Sequence, residues 1–360
     1  MGQVGQVGLV GRAGLLGLVG LVGQVGLAAL QSRQIYDQPL SESLRLRVSV
    51  TDGRPTIARV ALVDRRDGAQ SWELAAIVEE YETDFAVDRA DEHAVVLSRS
   101  DPGYGTDRGR IKLFFDATAK RLLKRVEFDT SHPIDFVDDA DAGRTLGIDP
   151  AVIPVLRARG VLSPPPVGRE LELPARLAAH RLPQSTYRDF ARARPGAVAN
   201  GYSPDNTEIE ERVGAFHLEG DRFWVAKTFY DGEGTTGVGG IGTVDAAGRY
   251  AFLRIPELFE WSVESLLIEP DAIWAGRVTH PEGADRSGGL LRYDRKTRRI
   301  RVYEVPDVIH AIVRVGGAIF LGTNHGLYVI NGDTRTRFRA EPAIDGRFMV
   351  VRENLSSQGR

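Results

Sequence analysis

One pattern recurs along this chain and limits what it can fold into. An apolar strand is followed by a polar or glycine-bearing loop, then by a second apolar strand that ends in Asp or Asn. The last copy runs from Ala318 through Phe320 to Gly322, then from Gly326 to Asn331. The copy before it runs from Ala272 through Trp274 to Gly276, then from Gly289 to Asp294. Earlier copies read Arg222–Ala226 with Gly240–Asp245, and Ala94–Leu97 with Gly109–Asp116. Trp224 and Trp274 stand 50 residues apart, and Trp274 and Phe320 stand 46 apart. A period of about 40–50 residues, with roughly four short strands in each unit, is the signature of a β-propeller.

A fifth, partial unit lies upstream. Leu44–Val50 alternates apolar and polar residues, Thr51-Asp52-Gly53 supplies a hairpin turn, and Val60–Asp64 matches the second strand of the other units. The expectation is an all-β propeller of five four-stranded blades, with six as the alternative. The blades are expected over 40–80, 81–128, 209–257, 261–306 and 308–342. The first unit lacks an innermost strand in this pattern, so Phe348–Val351 is expected to supply it and latch the ring, which would remove an exposed sheet edge. Asp64, Asp116, Asp245, Asp294 and Asn331 recur at one position and are expected to be turn residues. Trp224, Trp274 and Phe320 recur likewise and are expected in the core.

The run Phe320-Leu321-Gly322-Thr323, followed by Gly326-Leu327-Tyr328-Val329-Ile330, resembles the repeat of bacterial two-component-regulator propellers. Ile273–Gly276 with Gly289–Asp294 is similar, 209–257 is less so, and 40–128 only faintly so. The resemblance implies a propeller used as a sensor or binding module. It speaks to fold more than to activity, because one scaffold hosts many functions. The sequence contains no kinase or DNA-binding domain, so a complete regulator is not implied.

Outside the repeat the composition changes twice. Glycine occupies every third position from Gly2 to Gly26, with Val, Leu and Gln between and no proline, which excludes a collagen helix. Residues 1–30 read as a secretory signal, a low-complexity extension or a membrane anchor, and the glycines weaken the last. The expected location is periplasmic or secreted, with cytoplasmic as the alternative. Residues 31–352 form the propeller, and 353–360 are a tail. Within the propeller, 130–207 is a proline-rich insertion, read as a surface excursion, a lid or a degraded sixth blade. Short helices are expected from Asp149-Pro150 to about Gly160 and from about Ser185 to Arg194.

Function is less legible. The 46 basic and 49 acidic side chains give a net charge of −3, which offers no electrostatic reason for a nucleic-acid partner. The absence of cysteine excludes disulfides, thiolate nucleophiles and thiolate zinc sites. In up-and-down blades the loops between second and third strands share one end with the blade-to-blade connections. The loops 98–108, 227–239, 277–288 and 323–325 would therefore crowd one face, where binding residues concentrate.

The candidate ligand-binding residues there are Lys227, Tyr230, Asp231, Glu233, Arg277, His280, Glu282, Asn324 and His325. Asp101, Tyr104, Asp107, Arg108, Asp285, Arg286 and Thr323 lie in the same loops. The expected function is a non-enzymatic binding module for a small molecule, glycan or protein, monomeric and with no cofactor. The alternative is a glycosidase- or lactonase-type hydrolase, pairing Asp231 or Glu233 with Glu282 or Asp285. No histidine pair at metal-binding spacing is present, and no helix pattern follows the glycines of 237–242, so metal and nucleotide sites are not expected.

Overall fold

The computed structural model describes residues 32–102, 107–129, 134, 136, 138–162, 171–179, 209–230, 235–258, 261–279 and 286–355. Those residues form 21 strands in five antiparallel sheets. The first sheet holds β1 (Ser32–Pro39), β2 (Leu44–Thr51), β3 (Thr56–Asp64) and β4 (Ser71–Glu79). The second holds β5 (Asp84–Ala90), β6 (Ala94–Ser100), β7 (Asp107–Asp116) and β8 (Arg121–Phe128). The third holds β9 (Glu210–Glu219), β10 (Arg222–Tyr230), β11 (Thr235–Val244) and β12 (Tyr250–Leu253). The fourth holds β13 (Ser262–Ile268), β14 (Ala272–Thr279), β15 (Arg286–Asp294) and β16 (Ile300–Tyr303). The fifth holds β17 (Ile309–Val315), β18 (Ala318–Thr323), β19 (Gly326–Asn331), β20 (Thr334–Pro342) and β21 (Phe348–Leu355). In every sheet the spatial order follows the chain order, so each is an up-and-down meander.

Turn chemistry sets the boundaries of the strands. Asp64, Asp116, Asp245 and Asp294 each accept two backbone N–H groups from the following turn, at 2.7–3.1 Å. These are Asx turns, in which a short carboxylate replaces a backbone acceptor. The recurring aspartates are therefore turn residues, as their spacing predicts. Trp224, Trp274 and Phe320 are buried core residues, also as predicted.

The expected latch is not formed. Phe348–Leu355 pairs with β20 and makes the fifth sheet five-stranded. The first sheet has its own β1, paired with β2 from Ser32 to Pro39. The sequence Ser-Arg-Gln-Ile-Tyr-Asp-Gln-Pro is polar and its strand half-exposed, so no apolar alternation marks it.

The sheets pack face to face in two groups. Leu46, Val48, Val60 and Leu62 of the first sheet share one apolar core with Val95, Leu97, Ile111, Leu113 and Phe115 of the second. The third and fourth sheets share another through Trp224, Ile241, Val263, Ile273 and Leu291. The fourth and fifth share a third through Trp274, Tyr303, Ile312, Leu321 and Tyr328.

The other face of the fifth sheet is covered by the insertion. Its helices are α1 (Asp139–Leu146) and α2 (Ile153–Ala158), and Ile153, Leu156 and Val161 pack on Phe320, Leu327 and Phe338. Asp138 caps α1 by accepting the Asp141 N–H at 2.7 Å, and Asp149 opens the 150–152 turn that leads into α2. The helix expected from Asp149-Pro150 is therefore present; α1, which the sequence reading missed, precedes it. A third helix, α3 (Ala175–Ala179), sets Leu177 against Phe223, Val225 and Val244 of the third sheet. The helix expected over 185–194 and the segment 1–30 lie outside the described residues. No helix among the described residues is long and apolar enough to cross a membrane.

Candidate functional site

Successive sheets meet through one repeated contact. Thr228 Oγ1 of the third sheet donates to the Val263 carbonyl of the fourth at 3.3 Å. Ser265 Oγ of the fourth donates to the Ile309 carbonyl of the fifth at 2.7 Å. His310 Nε2 of the fifth lies 3.1 Å from the Gly160 carbonyl of the insertion. Burial pushes the His310 imidazole down to about 4, despite that carbonyl, so Nε2 is the donor of a neutral ring at neutral pH. The Gly160-Val161 segment thus occupies the place against the fifth sheet that a next sheet's inner strand would take. The insertion is built into the stack here, and is not a loose excursion over this stretch.

At the end of the second-to-third-strand loops, residues of different sheets meet. His325 Nε2 of the fifth sheet lies 3.9 Å from Asp107 Oδ2 of the second. Tyr230 Oη of the third lies 3.4 Å from Glu264 Oε1 of the fourth, and the Arg212 guanidinium sits 4.5 Å from the Tyr230 ring centre. Arg108 contacts Asp101, donates to Thr83 Oγ1 at 3.1 Å and lies over the exposed Tyr81 ring.

The sequence-predicted residues divide into three kinds. Asp231, Glu233, His280 and Glu282 lie outside the described residues, as do Tyr104 and Asp285, so all four carboxylates of the hydrolase alternative lie there. Arg277 and Asn324 are committed to the scaffold. Arg277 donates to the Glu257 carbonyl at 3.1 Å and to the Gly288 carbonyl, and stacks 5.2 Å from the Trp261 ring centre. Burial lowers its guanidinium from its ordinary value. Asn324 accepts the Val308 N–H at 2.9 Å and returns its own N–H to the Val308 carbonyl, closing its loop. Tyr230 and His325 are part-buried and stand where two sheets meet.

Lys227 is fully buried, contrary to a loop-exposed expectation. The β10 alternation points it away from the fourth sheet, beside Glu211 and 4.9 Å from the Tyr250 ring centre. Loss of hydration pushes its ammonium down to about 7, and burial raises the Tyr250 phenol. Nuclear magnetic resonance of lysine-labelled protein should show one Cε resonance titrating near pH 7. If every lysine titrates near its ordinary 10.4, this account of Lys227 is wrong.

At the opposite ends of the sheets lies a device the sequence reading missed. Trp224 Nε1 donates to Glu219 Oε2 at 2.8 Å, and Arg295 of the next sheet reaches the same carboxylate at 2.9 Å. Trp274 Nε1 donates to Glu269 Oε2 at 2.8 Å, and Arg314 of the next sheet reaches it in turn. Each Arg also lies over the Trp it serves, 5.0 and 5.5 Å from the ring centre. The Arg295 and Trp224 hydrogen bonds hold Glu219 below the usual carboxylate range. For Glu269 burial acts upward, and the bonds from Arg314 and Trp274 outweigh it. The signal was readable: a Glu stands five residues before each repeating Trp.

Among the described residues no group of three or more His, Asp or Glu is placed to hold a metal ion. No family model and no curated protein matches the chain. Solved structures with some likeness include an ACO/RPE65 chimera, 8% identical over 92% of this chain and 64% of that one, with a TM-score of 0.21. They include cobalt-substituted ACO from Synechocystis, 7% identical over 87% and 58%, with a TM-score of 0.21. Prolyl oligopeptidase B from Galerina marginata is 6% identical over 91% of this chain and 36% of that one, with a TM-score of 0.21. The chain spans less than two thirds of the length of these structures, and likeness this slight transfers neither fold nor activity to it.

Proposed function

We propose that this chain is a propeller-type recognition module that binds a small molecule, glycan or protein at the end where its second-to-third-strand loops converge. The observation that carries the reading is the meeting of residues from different sheets at this end: His325 with Asp107, and Tyr230, at the end of β10, with Glu264 of β13. Two contacts, one between the second and fifth sheets and one between the third and fourth, fall at this end, where binding groups are commonly presented. The repeated sheet-to-sheet contact supports the radial stacking of a propeller, with the insertion standing beside the fifth sheet.

The test is a set of immobilised glycans and peptides and a panel of small metabolites, probed with the native protein and with Tyr230→Ala/His325→Ala. We expect a ligand for the native protein whose binding falls at least about tenfold in the double variant, with the far-ultraviolet circular dichroism unchanged. Equal binding by both proteins would place recognition elsewhere. Turnover of a bound glycan or lactone would replace the binding reading by the hydrolase one.

A further inference from the structure

The geometry points to a hinge: the first two sheets form one rigid unit, the remaining three sheets with the insertion form another, and the two separate reversibly along a buried ionic seam. This goes beyond the binding reading and does not depend on it.

The first observation is where the apolar cores stop. Among the described residues, the core of the first two sheets draws only on residues from 35 to 122. The other five apolar clusters draw only on residues from 134 onward. The second observation is what joins the two groups. Beyond Phe338, β20 outruns β19 and carries Arg339 and Glu341, paired only with β21, against the second sheet. Glu341 is 0% exposed, Arg339 2% and Lys112 4%.

Glu341 Oε2 lies 2.9 Å from Arg89 and 3.1 Å from Lys112, both in the second sheet. Arg339 lies 2.9 Å from Glu341 Oε1, 2.7 Å from Glu353 and 3.6 Å from Asp88, which Arg110 also holds at 2.7 Å. At the edges of the seam Lys124 donates to the Ile344 carbonyl at 2.7 Å, and His325 meets Asp107.

An apolar core resists opening because every opened face must be hydrated at a cost. An ionic seam behaves differently. Its charges gave up hydration on closing, and that loss largely cancels their attraction. On opening they recover water, so the open state stays close in free energy to the closed one. Each sheet group meanwhile keeps its own core intact and moves as a body. The seam contains a buried donor without a hydrogen-bond partner, Arg339 Nε, which further weakens the closed state.

The absence of native cysteine allows clean spin labelling. Labels at Glu92→Cys, on an exposed turn of the second sheet, and Lys296→Cys, on an exposed turn of the fourth, report the separation of the units. Electron–electron resonance of the otherwise native chain should give a broad or two-peaked distance distribution. The seam variant Lys112→Met/Arg339→Met/Glu341→Leu, which replaces the buried ions by apolar groups of similar size, should give one narrow peak. In Glu341→Gln, amide exchange over the seam end of β20, from Arg339 to Glu341, should rise at least about tenfold, with β13–β16 unchanged.

A single narrow distance in the native chain would overturn the hinge. A broad distribution that persists in the apolar variant would place the motion elsewhere and overturn it equally. Exchange rising alike over all five sheets would show one cooperative body.

Discussion

Trp274→Ala is expected to destabilise the protein by about 3–5 kcal/mol, measured as a fall in the denaturant midpoint at unchanged slope. Three losses coincide at this residue. The indole is 4% exposed and stacks 5.9 Å from the Tyr303 ring in the core shared by the fourth and fifth sheets. Its Nε1–H is one of the donors to Glu269. Its face carries the Arg292 and Arg314 guanidinium groups. Trp274→Phe separates these contributions: it keeps most of the apolar volume and removes the hydrogen bond to a carboxylate, so about 1.5–3 kcal/mol should be lost. If the phenylalanine variant is as stable as the native protein, the indole–carboxylate bond contributes nothing and the Trp–Glu–Arg motif is only packing.

That motif shows how far the sequence could be read. The Trp224, Trp274 and Phe320 spacing revealed the sheets, because a large apolar side chain at a fixed strand position leaves a visible period. The aspartate turns were legible for the same reason: the turn and the residue that makes it are neighbours in sequence. Contacts between sheets were not legible. Glu219 meets Arg295 across 76 residues, and Arg89 meets Glu341 across 252. Neither distance leaves a local pattern.

The candidate site divided along the same line. Lys227 and Arg277 lie within β10 and β14 where loops were expected, Asn324 lies in its expected loop, and all three side chains turn into the scaffold. Strand position fixes where a residue stands, while alternation and bulges decide which way it points. The seam was invisible because charged residues at alternating strand positions, such as Arg110 and Lys112, ordinarily face water. Here Asp88 and Asp107 hold Arg110 within its own sheet, and Glu341 on the β20 overhang meets Lys112.

Gly276→Val should destabilise by about 3 kcal/mol or more, because it places side-chain atoms where the next sheet already lies. A Cβ at 276 would overlap Ser265 Oγ and stand 2.9 Å from Ile309 Cβ and 3.0 Å from the Ile309 carbonyl oxygen. Ser265 Oγ cannot yield freely, since it is the donor that ties the fourth sheet to the fifth at 2.7 Å. The corresponding position in the third sheet is Ala226, which carries a Cβ and is fully buried. There the close approach has moved to β9, where Gly214 meets the Val263 carbonyl; in the fifth sheet it falls on Gly322, against Gly160 and Val161.

The glycines therefore record where one sheet leans on the next, and the cost of filling each depends on what can move aside. Gly276→Ala should cost about 1–3 kcal/mol. Combined with Ser265→Ala, which removes the overlapping oxygen, it should show a favourable coupling of about 1 kcal/mol in a double-mutant cycle. Strict additivity of the two substitutions would mean that the Ser265 hydroxyl does not crowd position 276.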